Sequence, residues 1–225
     1  MARSTQYHYP AVTADVIIFT LRDNDLQVLL VQRKHPPFEG RWAIPGGFVS
    51  KDESLEAAAR RELKEETGVH DLYLEQLFTF GDPKRDPRGR VITVSYFALV
   101  PAPLAVKAGS DASNARWWPV NKLPALAFDH ARILNYALQR LRYKLEYTAA
   151  GFQLLPPAFS LTEIQTAYEI ILGEPLDKRN FRRRILQGNI LEETGEFMLS
   201  RGRPAKLYRF REDAVAEVKT RRLFP

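Results

Sequence analysis

The sequence predicts an α/β chain in two parts: a strand-rich unit closed by a long helix, then a helix-turn-helix unit with a β-ribbon. Three observations lead there. Apolar, β-branched runs at 12–20, 26–33, 72–80 and 90–100 are interspersed with helical patterns at 52–67 and from Asp129 to about Tyr147. A break containing Gly and paired Pro at 148–157 separates that half from a different grammar. Positive charge concentrates beyond the break: 178–211 holds ten Lys/Arg against three Glu, a balance of +7 in a 225-residue chain whose net charge is +6.

Taken in order, VTADVIIFT (12–20) and LQVLLVQR (26–33) flank a turn cluster, RDND, and read as a hairpin. A Gly turn at Pro45, Gly46 and Gly47 precedes the 52–67 helix, which Gly68 ends. Strands follow at 72–80 and 90–100, then a loop of small residues that leads to 116–120. Asp129 is placed to cap a helix whose Ile133, Leu134, Ala137, Leu138, Leu141 and Leu145 recur at helical spacing. Residues 1–147 are therefore expected as one domain, 148–157 as a linker and 158–225 as a second domain. In the latter, Ser160 to Glu163 is a capping box, Leu161, Ile164, Ala167, Tyr168, Ile171 and Leu172 form an apolar stripe, and Gly173 closes it. A second helix at 177–187 and strands near 190–194 and 206–210 complete the layout of a winged helix-turn-helix.

Bulk properties set the boundaries of function. With 45% hydrophobic and 27% charged residues the chain is globular rather than disordered. The absence of cysteine excludes disulfides, thiolate metal sites and a Cys nucleophile. No apolar run reaches the roughly 18 residues of a membrane span, and the polar start lacks a signal-peptide core, so a soluble cytoplasmic protein is expected.

Chemistry is concentrated at 47–69. Gly47, Glu53, Arg61, Glu62, Leu63, Glu65, Glu66, Gly68 and Val69 fit G-x5-E-x7-R-E-U-x-E-E-x-G-U, where U is apolar. Seven fixed residue types at ordinary usage arise by chance on the order of 10^-9 per register. An acidic amphipathic helix would explain the charges but neither the glycines nor the spacing. Glu62, Glu65 and Glu66 stand at i, i+3 and i+4, so their carboxylates share a helical face. Such crowding calls for a divalent cation, and hard oxygen ligands favour Mg2+ or Mn2+, which would bind a pyrophosphate and polarise it for water. Arg61 and Glu53 are placed to orient the cluster, and Gly46 and Gly47 to let backbone approach the metal.

At these residues the chain resembles the Nudix superfamily, over roughly 12–147. The resemblance implies an α/β/α sandwich, metal ligation by Glu62, Glu65 and Glu66, and, if the site is active, catalysis by Glu65 and Glu62. One departure concerns turnover. Relatives that cleave ADP-ribose use a glutamate downstream of the box as base, whereas none occurs here from Gln76 to Leu145, and Asp111 is the carboxylate preceding ARWW. Candidate ligand contacts are Gly47, Phe48, Arg61 and the loop arginines Arg85, Arg88 and Arg90, whose guanidinium forks suit phosphates or a ribose. A solvated hairpin turn is the alternative for that loop. Phe48, Trp117, Trp118 and Phe128 are weighed as base-stacking residues against core packing. The four histidines form no ligand spacing and receive no role.

In the second half, DKRNFRRRIL (177–186) places Phe181 and Ile185 on one face and Arg179, Asn180 and Arg183 opposite. Arg reads guanine and Asn reads adenine in a major groove, while Lys178 and Arg182 suit phosphates. A solvated basic helix is the alternative. On the wing, Arg201, Arg203 and Lys206 surround an RGRP segment fitted to a narrow minor groove, where a plain turn is the default. Double-stranded DNA is favoured over RNA because no stacking platform is evident.

Both halves together resemble the Nudix-related transcriptional regulators of NAD metabolism, the NrtR family, through PGGF (45–48) with the box, RDPRGR (85–90), LDKRNFRRR (176–184) and GRP (202–204). That resemblance implies a homodimeric repressor of NAD biosynthesis genes, released from its operator by ADP-ribose. A Nudix hydrolase acting on ADP-ribose, alone or combined with DNA binding, remains the alternative.

Overall fold

The computed structural model describes residues 9–67, 73–102, 112–147, 149–198, 204–211 and 214. Its first half is a seven-stranded sheet between two helices. Strand β1 (Ala11–Arg22) turns into β2 (Asp25–Arg33) through Asp23 and Asn24, at φ +54° and +59°. Positive φ at both central residues is the demand of a type I′ hairpin, and Asp and Asn tolerate it better than most residues. Short strands β3 (Trp42–Ala43) and β4 (Gly46–Phe48) pair with β2 and β1.

Helix α1 (Leu55–Thr67) begins three residues later than the 52–67 pattern suggests. The Ser50 N–H donates to Glu53 Oε1 at 2.7 Å, folding 50–53 into a local turn, and the Ser54 hydroxyl then accepts from Ala57 N–H at 3.1 Å as the cap. Strands β5 (Tyr73–Phe80), β6 (Val91–Leu99) and β7 (Ala112–Pro119) follow, then α2 (His130–Tyr147). β7 starts well before 116, because its small residues pair along β2 from Arg33↔Ala112 to Gln27↔Pro119. Here ladder pairing overrides weak local propensity. The path runs β3-β2-β1-β6-β5, with β1 and β6 parallel and every other pair antiparallel.

Side-chain alternation assigns the layers. Ala14, Val16 and Ile18 pack on Ala58, Ala59 and Leu63 of α1. Ile17 and Phe19 face the other way, onto Ile133, Leu134, Ala137 and Leu141 of α2. This is the expected α/β/α sandwich.

The same α2-side core continues without a gap into the second half. Within the segment read as a linker, a 3-10 helix (Ala149–Leu154) buries Phe152 and Leu154, and Leu155 follows them. Strand β8 (Phe159–Ser160) leads into α3 (Leu161–Leu172), with the Ser160/Glu163 capping box formed and Gly173 at φ +80° as its left-handed cap. Helix α4 (Lys178–Gln187) is capped by Asp177, which accepts from Asn180 N–H at 2.7 Å. Strands β9 (Leu191–Met198) and β10 (Ala205–Phe210) form the wing, and β10 also pairs with β8. The Arg142 Nε of α2 donates to the Ile171 carbonyl of α3 at 2.9 Å. No helix among the described residues is long and apolar enough to cross a membrane.

Candidate ligand cleft and nucleic-acid interface

Arg61 is the hub of the acidic face on α1. It donates to both Glu53 oxygens (2.9 and 3.2 Å) and to Glu62 Oε1 (2.7 Å), stands 3.7 Å from Glu65, and reaches the Phe48 carbonyl at 3.4 Å. Its guanidinium holds the Glu53 carboxyl down to about 2, helped by the Ser50 N–H. Glu62 is shifted the opposite way. Burial is the main cause, the neighbouring Glu65 and Asp15 charges add to it, and Arg61 opposes it.

Backbone packing requires glycine at 46, and at 47 glycine leaves room for a carboxylate. A Cβ at Gly47 would fall on the Glu62 carboxylate, and one at Gly46 would strike the side chain of Asp15 and the backbone at Ala14. The sequence suggested backbone approach to a metal; the structure gives an additional reason, that β4 is pressed against both β1 and α1.

These groups open onto a cleft of about 570 Å³, a size ordinary for a nucleotide-sized ligand. Gly47, Phe48, Arg61, Glu62, Glu65, Arg85 and Arg88 all line it. Phe48 is half exposed at the rim. Arg88 lies over the rings of Phe48 (5.3 Å) and Phe128 (5.6 Å), while Asp86 grips its guanidinium at 2.7 and 3.1 Å. Phe128 holds φ +51°, a strained setting for a bulky residue, and Arg33 covers its ring at 4.8 Å.

The three loop arginines separate. Arg85 is buried and tied to Asp129 at 2.8 and 3.2 Å, with Asp15 at 3.6 Å. Asp129 therefore does not cap α2 through its side chain as expected; its carboxylate is taken by Arg85. Arg90 does not line the cleft and donates to the Gly81 carbonyl at 2.7 Å. Arg88 is thus the loop guanidinium that faces the cavity while still half exposed. The aromatics separate too: Trp117 is core, Trp118 packs edge-on to Trp42, and Phe48 and Phe128 border the cleft.

A divalent cation would meet hard oxygens here. Glu62 and Glu65 point toward the cleft from α1, and a buried carboxyl pushed upward by desolvation and like charge is one that a cation would relieve. The Glu66 side chain, Gly68, Val69 and Asp111 lie outside the described residues, and among the described residues no three acidic or histidine side chains stand close enough to hold a metal.

The second half presents α4. Phe181 and Ile185 are buried, Phe181 edge-on to Tyr168 at 5.5 Å, while Lys178, Arg179 and Arg183 are exposed. Arg183 donates to Asn180 Oδ1 at 2.8 Å, and Arg182 donates to Thr162 Oγ1 of α3 at 2.9 Å, bracing the two helices. On the wing, Lys206 is paired with Glu193 at 2.8 Å and Arg209 with Glu192. Positive charge is therefore balanced on the described wing and left unbalanced on α4. Arg201 and Arg203 lie outside the described residues.

The NUDIX domain model matches residues 12–138, and the NrtR DNA-binding winged helix domain model matches 151–210. The chain is 42% identical over 212 residues to the ADPR responsive transcriptional repressor NtrR of Acinetobacter baylyi, covering 92% of this chain and 85% of that protein. The chain belongs to the NrtR family. Shewanella oneidensis NrtR, solved in complex with a 27mer DNA, superposes with a TM-score of 0.80 at 40% identity, over 91% of this chain and 95% of that one. The Nudix domain of the same protein, solved with ADP ribose, gives 0.56 at 41% identity over 62% of this chain and 94% of that one.

Two cleft residues of this NrtR-family chain escaped the sequence reading. Asp15 is a carboxylate in the middle of a buried strand, 6% exposed, and its interruption of an apolar run was the available signal. His130 had none, because its partners are the Ile44 N–H (2.9 Å to Nδ1) and Asp15, both far away in sequence.

Proposed function

We propose that this chain is a DNA-binding transcriptional repressor whose Nudix cleft binds ADP-ribose and whose α4 reads the operator, with ADP-ribose releasing the DNA. What carries the reading is a single continuous core that joins the sheet and α2 behind the cleft to the helices behind α4. Phe48 and Phe128 suit a base, Arg88 suits a phosphate, and the Glu62–Glu65 face suits a Mg2+ or Mn2+ ion on the pyrophosphate, with Glu66 as its expected third ligand. When bound, that ion would neutralise the α1 carboxylates and the phosphate charge together. Arg61 orients Glu62 and Glu65 for this.

On the DNA side, Arg179, Asn180 and Arg183 are offered to base edges, and Lys178 with the wing residues Arg201, Arg203 and Lys206 to the backbone and minor groove. The proposed assembly is a homodimer, since two recognition helices one helical turn apart would match successive major grooves, and the proposed targets are genes of NAD metabolism. ADP-ribose would favour a geometry in which those helices no longer match. Without a glutamate between Gln76 and Leu145 to act as base, the cleft holds ADP-ribose rather than turning it over rapidly.

The test uses one preparation in two assays. A duplex enriched by the full chain from a random-sequence library is titrated with and without ADP-ribose, and ADP-ribose is followed for AMP release with Mg2+. Release of the duplex with slow or no AMP formation is expected. Rapid AMP formation with no sequence-selective DNA binding would replace the repressor with a hydrolase.

A further inference from the structure

The floor of the cleft holds two buried polar atoms without a hydrogen bond. Thr13 and Asp15 lie on the same face of β1 and both line the cavity; Thr13 is 8% and Asp15 6% exposed. Neither Thr13 Oγ1 nor Asp15 Oδ2 has a hydrogen-bond partner. Desolvated acceptors of this kind are costly unless something satisfies them. Opposite Asp15 stands His130, also buried. The Ile44 N–H donates to its Nδ1, so the ring proton of the neutral imidazole resides on Nε2. Burial lowers the His130 pKa and favours that neutral form, against Asp15 and Asp129 and together with Arg85 and Arg33.

The Nε2 donor and the Asp15 Oδ2 acceptor are 3.9 Å apart, too far to bond directly. One oxygen at about 2.8 Å from both would bridge them at an angle near 90°, roughly what a hydroxyl tolerates. The bridging group must accept from Nε2–H and donate to Oδ2. A hydroxyl does both; an ammonium or a ring-conjugated amino group cannot accept, and an ionised phosphate oxygen cannot donate. A cation is disfavoured because Arg85 is already 3.6 Å from the same Oδ2.

We propose that Asp15 and His130 form a hydroxyl-reading subsite on the cleft floor, taking a ribose hydroxyl of the bound nucleotide. This rests on the ADP-ribose reading above and specifies which part of the ligand is read in the interior.

The experiment measures binding of ADP-ribose and four singly deoxygenated analogues, two altered on the adenosine ribose and two on the terminal ribose. The chains are the unmodified protein, Asp15→Asn and His130→Gln, with thermal melting to verify folding. In the unmodified chain, one analogue binds at least tenfold more weakly, and its position tells which ribose is held. In either variant that same deletion costs less than about threefold, because the partner is already gone. If all four analogues bind within twofold of ADP-ribose, the gap holds water and the proposal is overturned. It is equally overturned if the penalty persists undiminished in both variants. Should a variant fail to fold, the analogue series on the unmodified chain still decides whether a hydroxyl is read. Failure of ADP-ribose itself to bind would overturn the sensing reading and this subsite with it, a result distinct from tight binding without hydroxyl discrimination.

Discussion

Arg85 is buried between two carboxylates, and its removal would leave Asp15 and Asp129 facing each other without a cation. Arg85→Ala should therefore cost about 3–5 kcal/mol of stability, measured by denaturant melting, far more than a surface arginine. His130 gives a pH signature. Burial holds its pKa below the ordinary 6.5, so on acidification the unfolded chain takes up the proton first and stability is lost as pH falls below about 6.5. Glu62, shifted upward, acts in the opposite sense and gains stability over the acid range as pH falls toward 4.5. Melting followed from neutral pH downward should show a destabilising slope that flattens in His130→Gln. An unchanged slope would place the titration elsewhere. Gly47→Ala sets a Cβ against the Glu62 carboxylate and should weaken ADP-ribose binding while costing roughly 1–3 kcal/mol, read by calorimetry and melting. At this scale the box was legible because its spacing is local. Arg85 was visible as an arginine but not as a strut, since Asp129 lies 44 residues away and sequence carries no sign of that pairing.

Among the elements, α4 separates its two tasks by face. Phe181→Ala should cost about 3–5 kcal/mol in the winged-helix half, because the ring is fully packed against Tyr168. Arg179→Ala and Arg183→Ala should leave stability nearly unchanged and cost about 1–3 kcal/mol at the selected duplex if each reads a base. An equal loss on random DNA would make the residue a phosphate contact. Helices α3 and α4 were legible because the Ser160–Glu163 capping box, the stripe closing at Gly173 and the Phe181/Ile185 spacing all act within a few positions; the Asp177 cap emerged only with the fold. The two-residue strand β8 and the first half of β7 were not, because only β10 and β2 make them strands.

Across the whole molecule, the two halves are joined by burial rather than by a tether. Phe152, Leu154 and Leu155 come from a segment whose Gly and Pro pair read as a loop, and only the fold reveals the apolar surface they meet. Arg142 adds a polar clasp from α2 to the end of α3. Helix α2 begins at the cleft, with Asp129 held by Arg85, and clasps α3 through Arg142, so it spans the distance over which the proposed coupling acts. Coupling of this kind is reciprocal: whatever factor ADP-ribose imposes on DNA affinity, DNA must impose on ADP-ribose affinity. The decisive measurement is both arms of that cycle at one fixed salt concentration, with the library-selected duplex and ADP-ribose. The expected outcome is two weakening factors that are equal and well above one. ADP-ribose binding that is as tight on the DNA-saturated protein as on the free protein would contradict it.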